Sequence, residues 1–265
     1  MQKSFQKWLI GGLAASGLVL CISSRAQTAT QILNRVTQRY TALHSYEASY
    51  LMTEQVGQMG QLQLKMTLKS IPKERKVYVV TEPTGSGTGQ LAMGAAFAQT
   101  ESVSDGKDVY MYFKALNSYM KRSLQDTTTQ FGGLGQFAGG MADINQLKKL
   151  GAKLKLLPSS SFGGHPTYVI LMTLHAPQPG VPPVSTKIYI DKATYKVLGS
   201  VSLVQAQGLA VTTTMKLLSE KLNPDLPKSI FHFTPPPGAK EVQGMPGMTT
   251  VGPPQIGAPL QNTKP

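Results

Sequence analysis

Cysteine is almost absent from this chain of 265 residues, and the only one, Cys21, lies in the first apolar stretch. Acidic residues are also scarce, 13 against 26 lysines and arginines, which gives a formal net charge of +13. A single cysteine excludes an intramolecular disulfide framework. The basic excess favours anionic partners such as a membrane surface, lipid headgroups or acidic proteins. A surface that is basic only for solubility is the alternative interpretation.

Long hydrophobic runs are limited to one segment near the N-terminus. Two lysines precede the apolar stretch Trp8–Ile22, which at about 15 residues is shorter than the about 20 that a transmembrane helix needs. Ser24 and Ala26 then place small residues where a signal peptidase requires them. We therefore predict a cleaved signal peptide over residues 1–26. An uncleaved anchor is the alternative, and the leucine before Cys21 argues against a lipoprotein signal.

Removal of residues 1–26 changes the chemistry of the mature chain. It takes away the cysteine and three positive charges and no acid, so the net charge falls from +13 to +10. An exported domain without disulfides has to be held together by its own hydrophobic core, and about 210 residues can supply one. Nucleic acid is not an expected partner, because the chain is exported and its basic residues are scattered along predicted strands.

Hydrophobic periodicity predicts one helix followed by many strands. Apolar residues recur at helical spacing from Thr30 to Leu43, with Thr30 as the predicted N-cap. Strict alternation marks a half-buried strand over Gln61–Lys69, which a hairpin joins to a strand over Tyr46–Val56. The other predicted strands are Lys76–Thr81, Glu101–Ser104, Val109–Phe113, Ser118–Leu124, Lys153–Pro158, Thr167–His175, Ser185–Asp191, Lys196–Gln205 and Val211–Lys221. Many strands joined by tight turns favour one large antiparallel sheet or barrel.

Two glycine-rich segments, residues 84–100 and 126–150, interrupt the strand pattern, and the second includes a predicted helix over Asp143–Leu150. Each combines glycines with large apolar residues. Such segments are interpreted either as mobile covers over an apolar cavity or as ordinary loops packed into the core. The residues that we predict to form a lid are Met93, Phe97, Phe131 and Phe137.

The segment FHFTPPPGAKEV, residues 231–242, is predicted to close the folded domain. Its alternating aromatics are typical of the end of a strand, and Pro235 cannot donate a hydrogen bond to a strand ladder. From Gln243 onward proline, glycine and methionine dominate, which predicts a disordered tail over residues 243–265. The predicted domain therefore spans residues 27–242.

No pattern of catalytic or metal-ligating residues is recognisable. The histidines lack metal-ligand spacing, the sequence contains no Gly-x-Ser-x-Gly motif, and no pair of carboxylates is placed on one predicted element in a way that suggests acid–base catalysis. Residues 133–138 match a loose dinucleotide-binding pattern but do not follow a strand into a βαβ unit. We predict a protein that is not an enzyme and uses no metal or cofactor.

Five segments together resemble the LolA/LolB/RseB-like superfamily of periplasmic lipid- and lipoprotein-binding domains. They are residues 32–53, 71–83, 104–124, 189–208 and 233–242, and they include an Asp-Gly-Lys hairpin, an Asp-x-x-Thr hairpin and the proline-rich close. The resemblance implies a mainly β (α+β) fold: a curved, incompletely closed antiparallel β-barrel with an N-terminal helix and short lid helices over its mouth. One departure is Ile71, where the classical carrier has an arginine that helps to hold its lid closed.

The resemblance also implies a function, that of a periplasmic carrier. Its apolar cavity would bind acyl chains of lipoproteins or lipids for transfer toward the outer membrane, as a monomer, with inner- and outer-membrane proteins as partners. An RseB-like sensor module that binds a partner protein in the envelope is the alternative, which a filled interior would favour. The residues expected to line the cavity, if they are not simply core, are Leu62, Leu64, Met66, Leu68, Tyr110 and Tyr112.

Overall fold

The computed structural model describes residues 27–85, 87–89, 95–124, 151–175, 183–206 and 209–243. Within them lie one α-helix, twelve strands and four short 3₁₀ helices. The helix is α1 (Ala29–Thr41), and the strands are β1 (Tyr46–Val56), β2 (Gly60–Ile71), β3 (Lys76–Pro83), β4 (Thr100–Asp105), β5 (Asp108–Phe113), β6 (Ser118–Ser123), β7 (Lys153–Phe162), β8 (His165–Leu174), β9 (Val184–Asp191), β10 (Val197–Ala206), β11 (Leu209–Leu222) and β12 (Lys240–Glu241). The 3₁₀ helices are Pro72–Glu74, Ala95–Ala98, Lys114–Leu116 and Lys228–Phe231.

All the described strands form one sheet in the order β12-β6-β5-β4-β3-β2-β1-β11-β10-β9-β8-β7. Neighbouring strands are antiparallel, except that β12 pairs in parallel with β6. The central pair, β1 with β11, joins residues far apart in the chain, such as Tyr46 and Leu222. Because β12 and β7 stand at opposite ends of the order and do not pair, the sheet is not closed. The predicted mainly β, incompletely closed antiparallel architecture is confirmed.

Helix α1 begins with a capping box whose N-cap is Thr28, two residues before the predicted N-cap Thr30. The Gln31 backbone N–H donates to the Thr28 hydroxyl (3.2 Å), and the Thr28 backbone N–H donates to the Gln31 side chain (2.9 Å). The predicted cap at Thr30 was wrong. The residue three positions after Thr30 is Leu33, whose side chain has no atom that could accept a hydrogen bond from the Thr30 backbone N–H. The apolar period alone does not distinguish these two starting points.

One face of the sheet, called the inner face, packs against α1; the opposite side is called the outer face. The helix contributes a stripe of apolar side chains to the core. β1 and the strands that lie to either side of it in the sheet contribute residues from their inner face. The buried members of this core are Ala29, Ile32, Leu33, Val36, Tyr40, Leu43, Tyr46, Ala48, Tyr50, Met66, Leu68, Ile170, Met172, Ile188, Ile190 and Met215. Since this one cluster joins residues of α1 with residues of strands as far apart in the sheet as β2 and β8, the sheet curves around the helix.

Each predicted strand corresponds to an observed strand, and β7 differs most in length. It was predicted to end at Pro158 but extends to Phe162. A register shift in the pairing of β7 with β8 lies between Leu157 and Ser160. Because β7 is an edge strand, its other side has no neighbouring strand whose hydrogen bonds Pro158 could interrupt. Pro158 therefore interrupts the pairing locally without ending the strand.

The segment with alternating aromatics is not the end of a strand, and that prediction was wrong. β11 ends at Leu222, and Phe231 closes the 3₁₀ helix Lys228–Phe231. Phe231 and Phe233 are nonetheless buried, because this segment packs on the outer face over β3, β4 and β5. The alternation thus reflects burial of an irregular segment. After the prolines, the short strand β12 pairs with Ser118 and Tyr119 of β6.

Two aspartate turns support the hairpins that the sequence analysis identified. Asp105 accepts hydrogen bonds from the backbone N–H groups of Lys107 and Asp108 (2.8 and 2.7 Å). Gly106 between them has φ +98, and a Cβ there would lie 2.5 Å from the carbonyl oxygen of Glu74. Only glycine fits this turn. In the second turn, the hydrogen bond that the Thr194 hydroxyl donates to Asp191 lowers the pKa of that carboxyl.

Candidate functional site

Four alternate residues of β2 form a row on the inner face. Leu62 is half-buried, whereas Leu64, Met66 and Leu68 are 4%, 2% and 0% exposed. Met66 and Leu68 belong to the core beneath α1, and Leu64 lies outside that core. The row therefore leads from a partly open region near the β1–β2 hairpin into a packed interior.

Tyr110 and Tyr112 lie on the outer face, away from this row. Directly paired residues share a face, and the pairs that run from Leu68 through β3 and β4 reach Met111 of β5. The two tyrosines that flank Met111 therefore point outward, where they pack against Phe233 with ring centroids 5.0 and 6.3 Å away. Every residue of β5 after Asp108 is apolar or aromatic, so alternation could not show which of them face inward.

The predicted lid residues are not located by the structure. Met93, Phe131 and Phe137 lie outside the described residues, as does the side chain of Phe97, whose backbone belongs to the 3₁₀ helix Ala95–Ala98. The signal peptide, the helix over 143–150 and the tail beyond Gln243 also lie outside them. These assignments stay predictions.

The position of the lid-holding arginine is occupied by an apolar strand end. Ile71 is the last residue of β2 and leads into the 3₁₀ helix Pro72–Glu74. Of the nearby cations, Arg75 is exposed in a left-handed conformation (φ 56), and Lys76, which pairs with Ile71 across the sheet, forms an ion pair with Glu74 at 2.6 Å.

A carboxylate, Glu54, stands on the inner face beside the open end of the row. It pairs directly with Leu62 on one side and Thr213 on the other, and it is half-buried. Beyond Thr213 the polar character continues, because the hydroxyls of Ser202 and Thr186 lie 2.9 Å apart on the same face. None of the described residues forms an ion pair with Glu54. Sequence analysis missed this residue, although its even spacing from Tyr50 and Met52 would have placed it.

A second inner-face carboxylate, Glu220, is fully engaged. Its side chain is 2% exposed and accepts bonds from Arg39 and Lys196, each at 3.2 Å, and from the Tyr40 hydroxyl at 2.8 Å. A β-bulge between Ser49 and Tyr50 in the register of β1 with β11 lies next to it. This network ties the C-terminal end of α1 to two strands.

Two more tyrosines extend this buried network. The hydroxyls of Tyr46 and Tyr50 lie 3.1 Å apart, and the ring of Tyr46 meets that of Tyr40 edge-on at 5.4 Å. Burial raises the pKa of Tyr50 to about 12 and raises the pKa values of Tyr40 and Tyr46 well above their ordinary range. The folded protein therefore retains these phenolic protons to a higher pH than the unfolded chain does, and the three rings belong to the buried core beneath α1.

In the described part of the chain, no three histidine, cysteine, aspartate or glutamate side chains are grouped so that they could hold a metal ion. None of the helices in these ranges has the length and apolar character needed to cross a bilayer.

No family model matches the chain. An uncharacterised protein of Methanocaldococcus jannaschii is 25% identical over 227 residues, which cover 84% of this chain and 56% of the relative. The chain thus spans about half the length of the curated relative that it matches.

Several solved structures are similar in fold. An uncharacterised conserved protein from Thermus thermophilus is 14% identical with a TM-score of 0.48, over 82% of this chain and 100% of that one. A LolA superfamily protein from Nitrosomonas europaea is 13% identical with a TM-score of 0.41, over 78% and 99%. The MucA/MucB complex of Pseudomonas aeruginosa includes a chain that is 14% identical with a TM-score of 0.42, over 78% and 61%.

Proposed function

We propose that this chain is an exported, periplasmic carrier that binds acyl chains of lipids or lipoproteins on the inner face of its sheet, for transfer toward the outer membrane. The observation that supports the proposal is the gradient of burial along β2, from half-buried Leu62 to the enclosed Leu68. An acyl chain gains roughly 0.8 kcal/mol for each CH₂ group that it removes from water, and needs no directional bonds to do so. An apolar row that is open at one end suits such a ligand.

The acyl site proposed here is smaller than the one expected from the sequence. Met66 and Leu68 are already packed beneath α1, and Tyr110 and Tyr112 face outward. The binding region is therefore the hairpin end of the inner face, around Leu62 and Leu64 with Met52 beside them in β1. Methionine suits this position because its flexible side chain adapts to chains of different shape.

The test is native mass spectrometry of the protein purified gently from a bacterial periplasm, together with lipid extraction of the same sample. We expect a bound mass in the phospholipid, fatty-acid or lipopeptide range. Replacing Leu62 by aspartate should remove that mass, because it places a charge in the apolar row. The matched control is Gln63→Asp, which adds the same charge one residue away on the outer face and should leave the ligand bound. Equal ligand loss in both folded variants, or no ligand in the wild type, contradicts the proposal.

Glu54 should select against ligands whose head is also negative. With Glu54→Gln we expect the affinity for a fluorescent fatty acid to rise roughly three- to tenfold, because a like-charge repulsion of about 1 kcal/mol is removed beside Leu62. The affinity for an alkylamine of the same chain length should fall by a similar factor. Fluorescence titrations measure both. Glu82→Gln, the same change on the outer face of β3, is the control, and an identical response to it would show that only net charge matters.

The alternative function, an RseB-like module that binds a partner protein in the envelope, is favoured by one observation. The inner face beneath α1 is filled by packed side chains such as Leu33, Leu68 and Ile190, all 1% exposed or less. A folded protein that contains no lipid after gentle purification, and takes up no fluorescent fatty acid, would support this alternative over the carrier.

A further inference from the structure

The lysines of the sheet are segregated to one side. Every lysine in β1–β11 lies on the outer face, as the pairing register shows. They are Lys65, Lys69, Lys76, Lys121, Lys153, Lys155, Lys187, Lys216 and Lys221. The lysines of the described strands therefore lie on the side of the sheet that α1 does not cover.

The two halves of the outer face differ in their charge balance. On β3–β6, outward carboxylates such as Glu82, Glu101 and Asp108 accompany the lysines, and the aromatic C-terminal segment covers part of the surface. Within the described strands β7–β11, the carboxylates are Glu220, which faces inward, and Asp191, which is engaged in its turn. Asp191 lies on the outer face by register but is buried in its turn, so the exposed charges on the outer face of these strands are those of lysines.

Four lysines of this half form a group that we call the basic outer face: Lys153, Lys155, Lys187 and Lys216. All four are exposed, and no ion pair with a described carboxylate neutralises any of them. They stand on alternate strands, β7, β9 and β11, so their charges are spread across the surface and not collected in a pocket.

Half-buried and exposed apolar side chains lie between these lysines. Lys155 pairs with Leu171, Leu171 pairs with Lys187, and Lys187 pairs with Val201. Nearby on β10, Leu203 is 39% exposed. The surface therefore combines flexible cationic side chains with an apolar floor. No arginine, the cation most suited to rigid two-bond recognition at protein interfaces, is present on this face of β7–β11.

We propose that the basic outer face docks on a membrane surface that contains anionic lipids, with its lysines over the headgroup phosphates. Lysine is a compact charge on a flexible stem, which can follow mobile headgroups without fixed geometry. Each lysine near an anionic membrane strengthens binding by about fivefold, and the effect weakens as salt shortens the range of the attraction. Docking through the outer face leaves the inner face free, so this inference is independent of the proposed acyl site.

The test is co-sedimentation of the processed protein with vesicles of phosphatidylcholine, with or without phosphatidylglycerol. We expect binding only when phosphatidylglycerol is present, and weaker binding at higher salt. The variant Lys155→Glu, Lys187→Glu and Lys216→Glu should bind at least about 100-fold more weakly, since each change removes an attraction and adds a repulsion. The matched control, Lys73→Glu, Lys107→Glu and Lys240→Glu, changes the net charge equally at exposed positions on the other half of the molecule and should weaken binding by about fivefold or less.

Several results would overturn the inference: equal binding to both kinds of vesicle, no binding to either, or equal losses in the two triple variants. If the charge-reversed variant fails to fold, glutamine at the same three positions provides the test, with an expected loss of about 100-fold. Inorganic phosphate at a concentration that leaves ionic strength unchanged should not compete; full competition would indicate a free-phosphate site instead. Leu62→Asp should bind vesicles as the wild type does, which separates failure of this inference from failure of the acyl-carrier proposal.

Discussion

Replacing Glu220 by glutamine will lower the free energy of unfolding by roughly 2–4 kcal/mol. The carboxylate is 2% exposed and is the shared partner of Arg39 and Lys196, while Tyr40 donates a hydrogen bond to it. Glutamine keeps the size of the side chain but leaves two cations near a buried site without a counter-charge. The loss should fall below the largest values seen for buried pairs, because Arg39 and Lys196 are 24% and 33% exposed and are partly solvated.

Equilibrium urea denaturation measures this loss, and the outer face offers a matched control. Glu47 is also shared by two lysines, Lys69 and Lys221, at 4.0 and 3.0 Å, but its side chain is 23% exposed. Glu47→Gln should therefore cost about 1 kcal/mol or less. If the two variants lose the same free energy of unfolding, the buried Glu220 network contributes no more to the stability of the fold than the exposed Glu47 pairs do.

Raising the pH above 10 will destabilise the protein steeply, by up to about 4 kcal/mol for each pH unit. Burial raises the pKa of Tyr50 from 10.0 to about 12 and raises those of Tyr40 and Tyr46 further. The unfolded chain releases three phenolic protons near pH 10 that the folded protein retains. Since the unfolded state then binds fewer protons, the stability that is present below pH 10 falls as the pH rises through this range.

The measurement is the free energy of unfolding between pH 9 and about 11, with phenolate absorbance followed in the same samples. Absorbance from the buried tyrosines should develop together with loss of the fold and not before it. The double variant Tyr46→Phe, Tyr50→Phe should reduce the slope by about two thirds. Ionisation of all three phenols in a protein that is still folded would contradict the burial described for this network.

The strands could be predicted because their information is local. β1 was predicted with its observed bounds, Tyr46–Val56, since alternation and the hairpin glycines act within a few residues. β2 alternates so strictly that its inner row, Leu62 to Leu68, was also identified. The capping box of α1 is local too, and the sequence contains both Thr28 and Gln31, so a search for reciprocal caps would have found the observed start.

The position of the tyrosines and of the aromatic C-terminal segment could not be predicted in this way. Tyr110 and Met111 are both apolar enough to face the core, and only the register carried through β3 and β4 assigns one to each side. Phe231 and Phe233 alternate like strand residues, yet they pack onto an outer face built from strands more than a hundred positions earlier in the chain. Such contacts depend on the partner surface, which no short window of sequence contains.

The strand segments, the helix and the inner row of β2 could be predicted from the sequence, because each depends on composition or on short periods. The tertiary structure alone decided which side of each strand faces α1. It therefore also decided that Glu54 stands on the inner face, that Glu220 is enclosed by two cations, and that Lys153, Lys155, Lys187 and Lys216 share an outer surface without an ion pair to a described carboxylate. The physical reason is that a strand exposes two faces equally, and only pairing with distant strands and packing against the helix makes one of them the interior.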